Sequence, residues 1–283
     1  MCSRSQRAVV DFRRASPCGN APEATPYPAL NFHTQNLQAF ASAVSSATNG
    51  GLKLEVYPNG TLLKPAAIFD GVKDGKAEAG EVMLSTLAQR DPLFGVDSIP
   101  FVVSGYNDAR LLWDASRSHI EALMKANGLR LLYAVPWPPQ NLYSETPIAR
   151  LSDLKGHRLR TYNAAQKRIA ELYGAQAVQV EAADLTAAIA GGRIDTMVTS
   201  PSTGLETKAG QRMTYYYKVN AWIPKNAVFV NEARFAKLRQ QCSRRCSSSP
   251  RITKRAVGIP AARPTSAMKP NSPRPACVCS ILT

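Results

Sequence analysis

The middle of the chain has no cysteine. All six cysteines of the 283-residue chain lie near its ends, and residues 19–241 contain none. A domain without cysteine neither needs nor risks disulfide bonds, which is compatible with an exported protein. The four cysteines of Cys242-x₃-Cys246 and Cys277-x-Cys279 suggest a zinc site, but no histidine lies in that tail. We therefore expect no metal site and no cofactor.

Long apolar runs and catalytic motifs are also missing. No stretch of about 18 apolar residues occurs, so we predict no membrane span. Residues 1–24 combine scattered arginines with short apolar pieces and show no signal-peptide pattern. The chain contains no Gly-x-Ser-x-Gly, His-Glu-x-x-His or phosphate-binding glycine motif, and its three histidines stand far apart. Because no pattern indicates catalysis, we expect a protein that is not an enzyme.

Acidic residues are absent from the carboxyl end. The formal charge of the chain is +15, and residues 239–283 contribute nine lysines and arginines without any acid. Residues 1–24 contribute a net +2, which leaves an ordinary +4 for the rest of the chain. Since the basic character belongs mainly to one tail, we expect no specific binding of nucleic acid.

Between the tails, helix and strand patterns alternate. Apolar residues from Leu37 to Val44 recur on one helix face, and the alternating residues 52–57 follow as a half-buried strand. A further helix then leads to an apolar strand over residues 79–84, an order that predicts a right-handed crossover onto a parallel sheet. Residues 136–139 include three prolines, which restrict the backbone. We interpret this stiff segment as a crossing between two α/β lobes.

The stretch from Leu151 to Asn163 places an arginine at the end of a predicted strand. Residues 157–162 alternate as in a strand, and Asn163 can cap the helix that follows. Arg160 therefore lies where open α/β sheets bind ligands and where a helix N-terminus favours an anion. Its planar guanidinium can give a carboxylate two parallel hydrogen bonds. The residues alone leave open a second interpretation, a solvated basic run on a strand edge.

Asp153-Leu154-Lys155-Gly156 followed by Arg158-Leu159-Arg160 resembles the signature of the DctP-type solute receptors of TRAP transporters. Blocks at residues 32–36, 57–62 and 172–184 agree with that family in order and spacing. The resemblance spans Thr25 to Leu238. It implies a two-lobe, periplasmic-binding-protein-like (Venus flytrap) α/β fold with a mixed, mostly parallel sheet in each lobe. In the family the last arginine of the run binds the substrate carboxylate, and that position falls on Arg160.

The resemblance also implies a function. We expect a monomeric periplasmic receptor that binds a small organic acid between its lobes and delivers it to a TRAP-type membrane permease. The missing signal-peptide pattern departs from the family. Two alternatives are a small-molecule enzyme on a similar two-lobe scaffold, which predicts turnover, and a ligand-sensing domain of a regulator. The second would need a DNA-binding helix-turn-helix, and neither tail shows one.

On this basis we predict lobe I over residues 25–136, lobe II over 137–225, and a return strand to lobe I over 226–238. Residues 1–24 are predicted to be a disordered or aberrant segment, and 239–283 a disordered, basic, low-complexity tail. The family continues at this end with helices, including one that braces both lobes, and this chain lacks their pattern. We interpret the tail as out-of-frame translation; a genuine basic tail for an acidic partner is the alternative.

Polar residues near Arg160 are further candidates for the ligand site. Thr199 and Ser200 end a buried strand and can supply hydroxyl donors, although ordinary loop chemistry also explains them. Asn226 begins the return strand and can reach the cleft from there. These side chains can fix the orientation of a ligand between apolar walls.

Four more candidates come from the crossings and from lobe I. Trp137 and Trp222 flank the crossings and can wall the ligand, with packing of the hinge as the alternative. His33 begins a helix expected to point into the cleft, and a bond to its own backbone is the alternative. Glu81 ends a strand and can accept a hydrogen bond from a ligand hydroxyl.

Overall fold

The computed structural model describes residues 20–238. Within them, ten strands form two five-stranded sheets. The first sheet contains β1 (Asn20–Ala24), β2 (Lys53–Tyr57), β3 (Ala79–Met83), β4 (Leu129–Pro136) and β10 (Lys225–Asn231). The second contains β5 (Asn141–Ser144), β6 (Arg158–Thr161), β7 (Gln176–Gln179), β8 (Thr196–Thr199) and β9 (Tyr215–Tyr217). We call the first sheet with its helices lobe I and the second lobe II.

In each sheet, four strands run in one direction and one strand runs against them. The first sheet has the order β2-β1-β3-β10-β4, in which β10 is antiparallel to both neighbours. The second has the order β7-β6-β8-β5-β9, in which β5 is antiparallel to both neighbours. The remaining pairs are parallel. The predicted fold class, two lobes with mixed and mostly parallel sheets, is confirmed.

Helices connect the strands in residues 20–238, and three of them begin at a side chain that caps the helix. The helices are α1 (Phe32–Ala47), α2 (Ile68–Lys73), α3 (Tyr106–Ala126), α4 (Ala164–Tyr173), α5 (Leu185–Ala190) and α6 (Pro201–Glu206). Asn31 caps α1 and Asn163 caps α4, each accepting a backbone N–H at its side-chain oxygen. Gly174 ends α4 with φ +71°, a left-handed conformation that favours glycine. Among the helices of residues 20–238, none combines the length and the apolar composition of a membrane-spanning segment.

Each lobe has its own hydrophobic core. In lobe I, Phe69 of α2 and Met124 of α3 pack with Phe229 of β10, and all three are almost completely buried. In lobe II, Leu185 of α5 packs with Met197 of β8 in one of two apolar clusters. Burial of such side chains contributes roughly 1.5–3 kcal/mol each. The cores hold the carboxyl ends of the parallel strands in fixed positions.

Strand β1 corrects one prediction. Residues 20–24 belong to the segment that is predicted to be disordered or aberrant, but they pair in parallel with β2 on one side and β3 on the other. The sequence Asn-Ala-Pro-Glu-Ala has little apolar character, and Pro22 lacks the N–H that an inner strand usually donates. Neighbouring strands on both sides supply the pairing that local propensity does not predict. The predictions for residues 1–19 and 239–283, including the missing brace helices, lie outside the described residues.

Within residues 20–238, two segments cross between the lobes, and they are hydrogen-bonded to each other. The first is the proline-rich segment 136–139, which joins β4 to β5, and the second joins β9 to β10. The N–H of Trp137 donates to the carbonyl of Pro224 at 2.9 Å, and the N–H of Gln140 donates to that of Trp222 at 2.9 Å. The crossings therefore form one connected strap between the sheets.

Candidate functional site

A cavity of about 870 Å³ lies between the two lobes. Lobe I contributes residues from 26–31 and 82–90, and lobe II contributes residues from 160–167, 179–186 and 199–207. These five segments begin at or directly beyond the carboxyl ends of β1, β3, β6, β7 and β8. Ligands of open α/β sheets bind at such ends, which makes the cavity the candidate site.

Arg160 is the buried cation of this cavity. It lies on β6 with 5% of its surface exposed, and its Nε donates a 3.2 Å hydrogen bond to the carbonyl of Val180. The guanidinium carbon lies 4.9 Å from the centre of the Tyr162 ring. Burial lowers the pKa of Arg160, although an arginine stays charged. Among the described residues it forms no ion pair, and a buried charge of this kind needs an anionic partner.

The structure separates the two hydroxyl candidates. Thr199 is buried and lines the cavity. Ser200 does not line it, because its hydroxyl caps α6: it accepts from the N–H of Thr203 at 3.1 Å and lies 2.8 Å from the hydroxyl of Ser202. The geometry gives Ser200 a capping role in place of the predicted contact with a ligand.

Asn226 lies behind the cavity wall and supports it. Its Oδ1 accepts a 2.8 Å hydrogen bond from Nε1 of Trp137 and a 3.1 Å bond from the hydroxyl of Tyr27, and both donors line the cavity. Its buried Nδ2 has no partner among the described residues. Asn226 therefore orients two aromatic side chains that face the site.

His33 and Glu81 also lie behind the wall, fully buried, which corrects the expectation that either faces the cleft. Nδ1 of His33 lies 3.2 Å from Oε1 of Glu81, and the hydroxyl of Thr25 donates to Oε2 of Glu81 at 2.8 Å. The imidazole packs against Trp137, with ring centres 4.4 Å apart. His33 thus neither points into the cavity nor bonds its own backbone through its ring.

Next to this pair lies Glu23, which no sequence pattern indicates. It is fully buried on β1, and neither carboxyl oxygen has a partner among the described residues. Burial, with a smaller contribution from the charge of Glu81, raises the pKa of Glu23 to about 8. The carboxyl is therefore mostly protonated at neutral pH.

The two tryptophans differ in position. Trp137 lines the cavity, whereas Trp222 is 1% exposed and belongs to an apolar cluster of lobe II. Nε1 of Trp222 donates to the hydroxyl of Tyr162 at 3.3 Å, and that hydroxyl donates to Oε1 of Gln140 at 3.3 Å. Trp222 therefore packs at the crossing between the lobes, which is the alternative interpretation given for it above.

Two pairs of side chains in the described residues are hydrogen-bonded between the lobes across the cavity. Nδ2 of Asn31 donates to both carboxylate oxygens of Glu206, at 3.2 and 3.0 Å. Nδ2 of Asn163 donates to the hydroxyl of Ser85 at 3.1 Å. Each asparagine uses its other side-chain atom to cap a helix of its own lobe, so its amide is already oriented toward the opposite lobe.

Several polar side chains that the sequence patterns do not indicate line the cavity. They are Tyr27, Ser85, Gln140, Gln179 and Glu181. Gln179 and Glu181 stand at and just beyond the end of β7, so the strand-end rule that identifies Arg160 also applies to them. Tyr27 lies between two prolines in a segment without periodicity, and Gln140 follows the proline run.

Comparison with known proteins places these features in a family. Residues 24–244 match the family model DctP, described as bacterial extracellular solute-binding protein, family 7. DctP7 of Bordetella pertussis, an extracytoplasmic solute receptor binding pyroglutamic acid, is 39% identical. The alignment covers 77% of this chain and 73% of that chain, with a TM-score of 0.75. A TRAP solute-binding protein from a marine metagenome, specific for pyroglutamate, is 35% identical over 78% of this chain and 72% of its own, also with a TM-score of 0.75.

Curated relatives are more distant. A solute-binding protein of Albidiferax ferrireducens is 24% identical over 61% of this chain and 52% of its own length. The C4-dicarboxylate-binding protein DctB of Bacillus subtilis is 28% identical over 43% of this chain and 35% of its own length. The chain thus spans about half or less of these two curated relatives.

Proposed function

The chain belongs to the DctP family, the bacterial extracellular solute-binding proteins of family 7, and from this membership we propose that it is a receptor for a small organic acid. The acid binds in the cavity between the lobes. The receptor works as a monomer outside the cytoplasmic membrane and delivers its ligand to a TRAP-type permease. The resemblance to extracytoplasmic receptors of known structure supports this function.

The observation that carries the proposal is the buried guanidinium of Arg160. It opens onto the cavity and forms no ion pair within residues 20–238. A ligand carboxylate accepts two parallel hydrogen bonds from such a group and neutralises it. Thr199 contributes a hydroxyl near the end of β8, and Trp137 contributes an apolar face.

Related receptors suggest the size of the acid. Three solved structures at 35–39% identity are described as binding pyroglutamate or pyroglutamic acid. Pyroglutamate carries one carboxylate on a small lactam ring, which is compatible with a single buried guanidinium. We therefore propose a monocarboxylate of this size as the first ligand to test.

Binding closes the lobes about the two crossings. The hydrogen bonds between the crossings leave a short strap about which the lobes can rotate. The contacts Asn31–Glu206 and Asn163–Ser85 join the lobes on the ligand side of this strap and stabilise the closed form. We place the hinge at residues 136–139 and near Asn226.

A thermal-shift screen against carboxylic acids tests the proposal. A ligand at about 100 times its Kd stabilises the folded state by roughly 2.7 kcal/mol. We expect L-pyroglutamate or a similar acid to raise Tm, its methyl ester to have no effect, and the bound acid to be recovered unchanged by mass spectrometry. An equal shift with the uncharged ester, or no shift with any acid, would contradict a carboxylate receptor.

A further inference from the structure

The cavity contains one negative charge close to Arg160. The charged side chains of the described residues that line it are Arg90, Arg160, Lys167, Glu181 and Glu206. Arg90, Lys167 and Glu206 are exposed, whereas Arg160 is buried and Glu181 is half-buried. The charge in the interior of the cavity therefore comes from one cation, Arg160, and one anion, Glu181.

The backbone holds Glu181 beside the guanidinium. Nε of Arg160 binds the carbonyl of Val180, the residue directly before Glu181. Burial lowers the pKa of Arg160, and the negative charge of Glu181 acts in the opposite direction. The carboxylate is thus near enough to act on Arg160, yet these two residues form no ion pair in the described structure. Both charges remain available to a ligand.

A neighbouring glutamine orients the carboxylate. Nε2 of Gln179 donates to Oε1 of Glu181 at 3.1 Å, and Oε1 of Gln179 accepts from the hydroxyl of Thr161 at 3.4 Å. Within residues 20–238, Oε2 of Glu181 accepts no hydrogen bond. The second oxygen, on a side chain that lines the cavity, is therefore an acceptor without a donor among the described residues.

We propose that Glu181 selects monocarboxylates that carry an N–H or O–H donor close to the carboxylate. This rests on the function proposed above and specifies the ligand class for the same site. Arg160 binds the ligand carboxylate, and Oε2 of Glu181 accepts the donor. A dicarboxylate brings its second negative charge into the space beside Glu181, where two carboxylates repel each other. The lactam N–H of pyroglutamate is a donor of the required kind.

Titration calorimetry with three probes separates the effect of the ligand's N–H donor from the effect of a second carboxylate. The probes are L-pyroglutamate, 3-oxocyclopentane-1-carboxylate, in which CH₂ replaces the ring N–H, and glutarate, a dicarboxylate. We expect the unsubstituted chain to bind pyroglutamate at least about tenfold more tightly than the carbocyclic analogue, because the analogue leaves an acceptor unpaired. Glutarate should bind weakly.

Two substitutions test the residue. Glu181→Ala should reduce the preference for pyroglutamate over the carbocyclic analogue to less than about threefold. Glu181→Gln keeps the size but removes the charge, and it should strengthen glutarate binding by about tenfold. Asp184→Asn is the matched control, since it removes one negative charge three residues away on an exposed side chain that does not line the cavity.

The outcomes distinguish this inference from the proposed function. If pyroglutamate binds and Arg160→Ala abolishes its binding, the receptor function stands. Unchanged ligand preferences in both Glu181 variants would then overturn the role of Glu181 alone. If the unsubstituted chain binds none of the three acids but another acid from the thermal-shift screen binds, the receptor function stands and this inference fails. If no acid in the screen binds, both fail.

Discussion

Arg160 and Glu23 are both buried ionisable side chains, but Arg160 is charged at neutral pH and Glu23 is mostly neutral. Arg160 borders the cavity, where a ligand anion can reach it. Glu23 lies inside lobe I, with neither oxygen paired among the described residues. A guanidinium cannot lose its proton at ordinary pH, whereas a carboxyl can keep its own. Arg160 therefore needs a partner, and Glu23 avoids its charge by staying protonated.

The protonation of Glu23 predicts a pH-dependent stability. Burial raises its pKa to about 8 in the folded state, while the unfolded chain has the ordinary, lower value. Between the two values the folded state holds a proton that the unfolded chain has released. The contribution of this proton to the free energy of unfolding is therefore fully present below the ordinary pKa of Glu23. It is lost as pH rises to about 8, at roughly 1.4 kcal/mol per pH unit.

Urea unfolding between about pH 5 and pH 8 measures this effect. Glu23→Gln removes the titration, so its stability should fall less with pH than that of the unsubstituted chain. Asp97, whose pKa burial raises to about 6, titrates in both proteins and cancels in the comparison. Glu55→Gln, on an exposed side chain of β2, is the control. Parallel stability profiles for the unsubstituted chain and Glu23→Gln would show that Glu23 does not hold this proton.

At the scale of the element, helix caps also connect the lobes. Asn31 and Asn163 cap helices of different lobes, and each donates from Nδ2 to the lobe opposite. Because the cap already fixes the side chain, the interlobe hydrogen bond costs little additional side-chain entropy. The start of a helix and the closed position of a lobe thus depend on the same residue.

A reciprocal substitution tests the contact between Asn31 and Glu206. Asn31→Asp retains the capping oxygen but removes the donor and sets one carboxylate against another. We expect faster ligand dissociation and a loss of about 0.5–1.5 kcal/mol in affinity. Adding Glu206→Gln should restore most of the loss, because the glutamine amide can donate to the new carboxylate. Surface plasmon resonance provides both rates.

The double substitution is also the decisive control. A fault in the α1 cap would persist in Asn31→Asp with Glu206→Gln, whereas a lost interlobe contact would recover. Dissociation rates that are equal in all four proteins of this cycle would show that the contact does not stabilise the closed form.

Local patterns predict elements well where propensity and packing agree. The strand before Asn163, its cap and the end of α4 at Gly174 follow from local chemistry, and the structure has them. Strand β1 does not, because its pairing with β2 and β3 overrides a proline and a polar composition. The same limit applies to the site. The strand-end rule identifies Arg160. The burial of Glu23, Glu81 and His33 depends on which face of the first sheet is covered by α1, and the sequence pattern does not show which face that is.

At the scale of the whole molecule, two lobes are joined by a short hydrogen-bonded strap. We predict that binding of the acid found in the thermal-shift screen reduces the radius of gyration, because the lobes rotate about residues 136–139 and the segment before β10. Small-angle scattering with and without this acid measures the change. Arg160→Ala at the same acid concentration should show no reduction. An identical radius in both states of the unsubstituted chain, with binding shown separately, would contradict closure.

Titration calorimetry on Arg160 tests the central claim, that a buried guanidinium binds a carboxylate between the lobes. Arg160→Ala should lose roughly 2–5 kcal/mol of affinity for the acid from the screen, and Arg160→Lys should also bind poorly, because an ammonium group cannot form the paired hydrogen bonds. Arg158→Ala, on the same strand but exposed and paired with Asp195, should bind like the unsubstituted chain. Unchanged affinity in Arg160→Ala would contradict the claim.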